Sequence, residues 1–302
     1  MPSELKPGTL YVVATPIGNL DDMTFRAVQV LQGVDRIAAE DTRHTGRLLQ
    51  HFQITTPQIS YHEHNYSQRG GQIIEKLRQG EAIALVTDAG MPGISDPGYE
   101  LITACLQAAI PIVPIPGCTA VTTALSAGGL PTDRFVFEGF IPPKGQERAT
   151  RLDSLATEER TIVLYESPHR LRQTLQDLAT TLSADRLVVL ARELTKLYEE
   201  FWRGTLGGAI EHYQHQEPRG EFTILLQGST AEPKMLSSAV IKAELRDLIV
   251  NGMSRSQASR HLAKLTPMPR QQLYQIALEI NLESNLDINL ETDLETKSET
   301  NL

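Results

Sequence analysis

The chain is poor in cysteine and in aromatics, and it has no long apolar run. Two cysteines among 302 residues, Cys105 and Cys118, exclude a disulfide framework and a cysteine-built metal centre; one falls on a helical pattern, the other in a loop, and both read as structural thiols. No stretch approaches the roughly 18 uncharged apolar residues that a membrane span needs. The opening MPSELKPGTL lacks the basic-then-apolar order of a secretion signal, so the chain is expected to be cytosolic. No Gly-x-x-x-x-Gly-Lys-Ser/Thr run occurs, which argues against a nucleotide-phosphate enzyme. His62-Glu63-His64 offers alternate residues of a strand with no third ligand, and reads as surface; no metal is expected.

Positive charge is also scarce, with a net charge of −9. It is unevenly spread. Lys234 to Tyr274 holds seven basic residues (Lys234, Lys242, Arg246, Arg255, Arg260, Lys264, Arg270) against Glu244 and Asp247, and from Gln275 onward acids again dominate. A basic module thus stands between an acidic body and an acidic tail, and local charge governs attraction to phosphates.

What the chain does have is three apolar strands that each run into a Gly/Pro-rich turn. Leu85 to Gly98 reads LVTDAGMPGISDPG; Ile112 to Ile115 leads into Pro116-Gly117-Cys118-Thr119-Ala120; Leu10 to Ala14 leads into Thr15-Pro16-Ile17-Gly18-Asn19. Each is followed by a helical pattern, which places three loops at the C-terminal edge of one parallel sheet, where α/β folds bind ligands. Glycine there lets backbone N–H and C=O groups approach a ligand closely.

Strand and helix alternate from Leu10 to Gly129, predicting a doubly wound parallel sheet, with Asp41 or Thr42 capping a helix through His51. Ile141-Pro142-Pro143-Lys144 reads as a boundary between a first domain, 1–140, and a smaller α/β domain, 141–230, of mixed strand direction. Beyond it, 235–282 reads as two short helices around Asn251-Gly252-Met253 and a third from Pro269 to Ile280. That unit is either a helix-turn-helix presenting Arg255, Arg260, His261 and Lys264 to nucleic acid, or a helical dimer element or solvated cap. The remainder, 283–302, is acidic, free of aromatics and reads as disordered.

These motifs resemble the class III S-adenosylmethionine-dependent methyltransferases of the tetrapyrrole methylase superfamily, in its rRNA-methylating branch. The resemblance is carried by ATPIGNLDDMTFRA from Ala14, AAEDTRHTGRLL from Ala38, LVTDAGMPGISDPG, PIPGCTA from Pro114, FEGFIPPK from Phe137, YESPHR from Tyr165, RELTKLYEEFWRGTL from Arg192 and GEFTILLQG from Gly220. It implies two α/β domains with the cofactor in the cleft between them, a small C-terminal helical module, and a homodimer. It further implies 2′-O-methylation of a cytidine in the decoding region of 16S rRNA, on the small ribosomal subunit, with S-adenosyl-L-methionine as donor. Carried onto these loops, it gives Ile17, Asp88, Ala89, Gly90, Met91, Pro92, Thr119, Ala120, Tyr165 and Phe222 as cofactor-binding positions. Two departures stand out: Asp88-Ala89-Gly90-Met91-Pro92 replaces the usual Gly-Asp-Pro, and the first loop lacks the usual Gly-x-Gly. Both favour the rRNA branch over tetrapyrrole enzymes. Two other readings share the cleft, a tetrapyrrole or diphthine-type methyltransferase and a metabolite-sensing regulator that binds nucleic acid.

A sulfonium methyl is already electrophilic, so the protein must mainly align the attacking oxygen. A ribose hydroxyl is a poor nucleophile and needs a proton acceptor. Candidate catalytic residues are Glu40 and Asp41 as acceptors, Arg43 as a bidentate phosphate contact, and Lys196 as a base if desolvation lowers its pKa. The competing reading makes Arg192, Glu193 and Lys196 an ion-pair network between domains. Arg43, Lys144, Arg148 and Arg151 together suggest a positive track for RNA.

Overall fold

The computed structural model describes residues 5–62, 65–229, 238–266 and 268–280. The chain divides into two units, Met1–Ser229 and Thr230–Leu302.

The first unit begins with β1 (Leu10–Val13), α1 (Phe25–Gly33), β2 (Arg36–Ala39), α2 (Thr42–His51), β3 (Gln58–Ser60), α3 (Tyr66–Arg78), β4 (Ile83–Val86), α4 (Tyr99–Gln107), β5 (Ile112–Ile115) and α5 (Ala120–Gly128). The five strands form a sheet in the order β3-β2-β4-β1-β5, with every pairing parallel. Alternate residues explain why both faces are covered. Tyr11, Val13, Ile37, Ala39, Ala84 and Val86 pack with Ala27, Val30 and Leu31 of α1. Leu10, Val12, Ala38, Ile83 and Leu85 pack with Ile73 and Leu77 of α3 and Leu101 and Cys105 of α4. Strands buried on both sides read as continuous apolar runs, as these do. Asp41 is the N-cap of α2 and accepts the Arg43 N–H.

A second sheet follows: β6 (Phe135–Phe140), α6 (Gly145–Leu155), β7 (Thr161–Glu166), α7 (Pro168–Leu182), β8 (Leu187–Arg192), β9 (Glu200–Thr205), α8 (Leu206–His215) and β10 (Phe222–Leu226). Its order is β6-β7-β10-β8-β9, mixed in direction, with β6 and β7 parallel and the other pairs antiparallel. One face packs on α6, α7 and α8. The other meets α5, whose Val121, Ala124 and Leu125 lie among Val163, Val189, Ala191 and Leu225. Arg203 of β9 donates to the Ala127 and Gly128 carbonyls at the C-terminus of α5, fastening it further.

The sequence reading ended the first domain at 140, yet Phe135–Phe140 pairs with β7 of the second sheet. The change of sheet falls in the segment after Gly129, which takes the left-handed conformation that terminates α5. Ile141-Pro142-Pro143 is the turn from β6 to α6.

The second unit contains α9 (Ser238–Val250), α10 (Arg255–Leu265) and α11 (Arg270–Leu278). Ile241, Leu245, Ala258, Leu262, Leu273 and Ala277 form its core. Ser254 and Gln257 make a reciprocal capping box at α10. Arg255 donates to the carbonyls of Ala277 and Ile280 at 3.0 and 3.2 Å, so this predicted nucleic-acid contact instead closes the end of α11. The expected disordered tail, 283–302, lies outside the described residues. No helix among the described residues is long and apolar enough to cross a membrane.

Candidate active site

The loops that follow β1 and β4 are tied together where their strands end. Thr15 N–H donates to the Gly90 carbonyl at 2.9 Å and Gly90 N–H returns a bond to Thr15 at 3.0 Å. Gly90 has φ +81°, a conformation for which glycine is the default residue. This joint stands between neighbouring strands β1 and β4, at the C-terminal edge where the sheet topology switches.

Beside it lies a cavity of about 420 Å³ between the two sheets, within the range of roughly 300–1,000 Å³ typical of small-molecule sites. Its first-sheet wall is Ile17, the segment Ala89-Gly90-Met91, Asp96, and Thr119-Ala120 at the N-terminus of α5; Tyr165, Leu194 and Phe222 line it from the second sheet. Tyr165 is held edge-on by Phe137 and Phe140, with ring centroids 5.0 and 5.7 Å away. Burial, with Asp96 nearby, pushes its phenol up to about 12, so it stays protonated.

Eight of the ten cofactor positions carried over from the resemblance line this cavity. Asp88 and Pro92 do not. Pro92 is buried, and the Asp88 carboxylate accepts the Asp41 N–H at 3.2 Å while lining a smaller cavity on the other side of the Thr15–Gly90 joint.

None of the four catalytic candidates lines the large cavity. Glu40 is half-buried; its carboxylate accepts the Asp88 N–H at 3.4 Å, and burial with the neighbouring Asp88 and Asp41 charges raises its pKa despite that bond. Asp41 is bound by the Arg43 guanidinium at 2.8 Å, and that hydrogen bond holds it far below the usual carboxylate range. It is a cap and an ion-pair partner. Arg43 itself is 88% exposed.

Lys196 reverses the expectation of a lowered pKa. Burial alone disfavours its charge, but hydrogen bonds to Glu193 (2.8 Å) and Glu221 (2.9 Å) outweigh burial and the pKa is raised. The ion-pair reading is met in part: Lys196 pairs with Glu193 and Glu221, all beside the second sheet and not between domains, while Arg192 pairs separately with Glu200 at 3.5 Å. Glu193 also accepts the Glu221 N–H at 3.0 Å, and Glu193 and Thr195 adopt positive φ. The cluster fixes the backbone that presents Leu194, Glu221 and Phe222 to the cavity. The β1 loop packs tightly here, since a Cβ at Gly18 would stand 2.8 Å from the Leu194 carbonyl.

The positive track does not form either. Arg148 is buried and bonded to Asp177, Thr174 and the Pro142 carbonyl, and Arg151 pairs with Glu138 at 2.9 Å. Of the His62-Glu63-His64 run, 63 and 64 lie outside the described residues, and His62 lies beyond β3.

The residue that sequence reasoning missed is Asp96. It lines the cavity, and burial together with the Glu40, Asp88 and Glu221 charges pushes its carboxyl up to about 7. In sequence, Ser95-Asp96-Pro97-Gly98 looks like an ordinary turn. Only tertiary packing places it: Gly139 brings the β6 backbone against the Ser95 hydroxyl, 2.9 Å from where a Cβ would stand. Among the described lining residues three are carboxylates, Asp96, Glu166 and Glu221, and none is lysine or arginine.

Two five-stranded α/β sheets, one wholly parallel and one mixed, with a cavity lined from both, define the class. Residues 9–210 match the family model of the tetrapyrrole (corrin/porphyrin) methylases, and the chain belongs to that family. It is 59% identical over 274 residues to the ribosomal RNA small subunit methyltransferase I of Synechocystis sp., covering 90% of this chain and 98% of that protein. To the protein of the same name from Pasteurella multocida it is 44% identical, covering 90% and 97%. Among solved structures, diphthine synthase superposes with a TM-score of 0.60 at 12% identity, over 74% of this chain and 91% of that one. The uroporphyrin-III-C-methyltransferase of Thermus thermophilus gives 0.54 at 20%, over 73% and 94%. At those identities they share the fold.

Proposed function

We propose that this chain transfers a methyl group from S-adenosyl-L-methionine to the ribose 2′-hydroxyl of a cytidine in 16S rRNA, on the small ribosomal subunit. The observation that carries the reading is the lining of the cavity: eight of the ten positions expected to hold the donor come together there, with no lysine or arginine among the described lining residues. A dinucleotide or nucleoside triphosphate would find no lysine or arginine in that lining to pair its phosphates, a lack that does not disfavour a sulfonium donor. The residues fit the donor in other ways. Ile17, Met91, Leu194 and Phe222 offer apolar walls, and the N-terminus of α5 at Thr119 offers N–H groups to a carboxylate. Bound there, the donor supplies an electrophilic methyl.

The chain's own groups then do the rest. Asp96, poised near neutrality, accepts the hydroxyl proton as the oxygen attacks. Tyr165 and Phe140 exclude water from one side. Arg43, exposed and oriented by Asp41, contacts an RNA phosphate. In the second unit, exposed Arg260 and His261 on α10 follow the turn at Asn251-Gly252 and suit RNA docking. The relatives' shared name supports rRNA as substrate. The working form is a cytoplasmic homodimer, a reading supported by large apolar side chains left exposed at Phe25, Leu197 and Tyr198.

The test is transfer of labelled methyl to purified 30S subunits from a strain lacking the endogenous activity, with the product nucleoside identified by mass spectrometry. Label recovered as 2′-O-methylcytidine is the expected result. Donor binding without label in rRNA overturns the reading.

A further inference from the structure

The smaller cavity, on the other side of the Thr15–Gly90 joint, has a volume of about 140 Å³. Its lining has two characters. Leu20, Leu48 and Pro16 are apolar; Thr45, Thr87 and Asp88 are polar. The two threonines are 2% and 1% exposed, and neither hydroxyl has a partner within the protein. Buried hydroxyls are paired in nearly all folded proteins, so two unpaired ones on residues that line one cavity mark a wall that a partner would complete. One oxygen of Asp88 accepts the Asp41 N–H, and the other is left to accept from something else.

From this pattern we propose that the small cavity is the seat of the target base, and that Thr45, Thr87 and Asp88 select an amino-bearing pyrimidine, cytosine. The inference rests on the proposed rRNA reading. A flat heterocycle matches one apolar side and one polar edge. The exocyclic amino group of cytosine donates to Asp88, and its ring acceptors take the threonine hydroxyl protons. Uracil presents an oxygen where cytosine has the amino group, and that oxygen would face a carboxylate. A phosphate is disfavoured although α2 begins here, because Glu40, Asp41 and Asp88 surround the helix start. The geometry also connects the two cavities. Residues 15–17 and 87–90 form their shared wall: Thr15, Pro16, Thr87 and Asp88 line the small cavity, Ile17, Ala89 and Gly90 the large one. A base extruded into the small cavity leaves its ribose at the rim both share, as enzymes acting on single nucleotides require. His44 and Arg47 at that rim are placed for the flanking phosphates.

The test compares kcat/KM on 30S subunits carrying cytidine or uridine at the target position, for the wild type and for Asp88→Asn, Thr45→Val and Thr87→Val, with donor affinity and thermal melting measured alongside. Wild type is expected to favour cytidine by about tenfold or more. Asp88→Asn, whose amide can both accept and donate, should narrow that ratio. The two isosteric valine variants should raise KM for 30S subunits at unchanged donor affinity. If the wild type labels no rRNA, the function proposed above fails and this inference goes with it. If the wild type is active but the cytidine-to-uridine ratio survives Asp88→Asn and the valine variants keep their KM, this inference alone is overturned. A change confined to the salt dependence of KM would make the cavity a phosphate site and overturn it equally. Should Asp88→Asn fail to fold, the valine pair decides.

Discussion

The Glu193 carboxylate is shared between the Lys196 ammonium, at 2.8 Å, and the Glu221 N–H, at 3.0 Å. One side chain thereby locks the segment after β8 to the segment before β10, and both reach the large cavity.

Replacing Lys196 with methionine should therefore act on binding and stability and leave the chemistry alone. The pair is partly exposed, so the loss is about 1 kcal/mol. Donor affinity should fall as Leu194 and Phe222 lose their setting, while the pH profile of kcat keeps its shape. The raised pKa of Lys196 means its contribution is present below the usual lysine range and fades as pH rises through the folded-state value. Isothermal titration with donor and a pH series of single turnovers would check both; a vanished alkaline or neutral limb would restore Lys196 as a base.

Asp96 sets the expected pH dependence. As an acceptor with a pKa of about 7, it makes kcat/KM climb with pH through neutrality and level off above it. Asp96→Asn should lower the rate by about 10²–10⁴-fold and flatten that climb. The stability effect has the opposite sense. A carboxyl raised by folding binds more protons in the native state, so stability falls as pH rises from the usual aspartate range to about 7. Asp96→Asn should thus melt higher than wild type at pH 8, with little difference at acid pH, by differential scanning fluorimetry.

Gly90→Ala tests the joint between the loops. A Cβ there finds room, 3.6 Å from the nearest atom of Ile17, so the cost is conformational, from φ +81°. About 1–2 kcal/mol of stability should be lost, with donor affinity reduced as Thr15 and Gly90 part. Equilibrium dialysis against labelled donor reads this directly.

In the second unit two arginines should part company. Arg255→Ala removes the bonds that close α11 and should lower the melting temperature. Arg260→Ala should leave melting unchanged, raise KM for 30S subunits, and reduce the slope of log KM against log salt by about 1. An unchanged slope would remove Arg260 from the RNA interface.

Much of this was legible in the chain because local chemistry marks it. The apolar run Ile112–Ile115 emerged with the bounds read from sequence, and Pro168 opens α7 where a proline at the first helical position should. What was missed depended on distant partners. β3 is three residues, Gln58 to Ser60, too short to show alternation. α8 carries Gly207-Gly208 in its first turn, which argue against a helix locally, yet Thr205 caps it and Leu206, Ala209 and Tyr213 are buried by the second sheet. Eight of the ten cofactor positions fell on the cavity because they belong to glycine- and proline-marked loops or to carried-over motifs. Charged residues were read less well. Arg148 and Arg255 have partners far along the chain, as Lys196 does in Glu221, and no spacing rule encodes which distant carboxylate or carbonyl a long side chain will find.

Helix α5 begins at the cavity and ends under Arg203 of the other sheet. It is a rivet whose head is the ligand site. Occupancy at the head tightens the whole seam, so the donor should raise the melting of all of Met1–Ser229 in one transition. A chain severed within 129–134 would expose the apolar underside of α5 on one fragment and its socket on the other, and the two pieces should regain binding only when mixed.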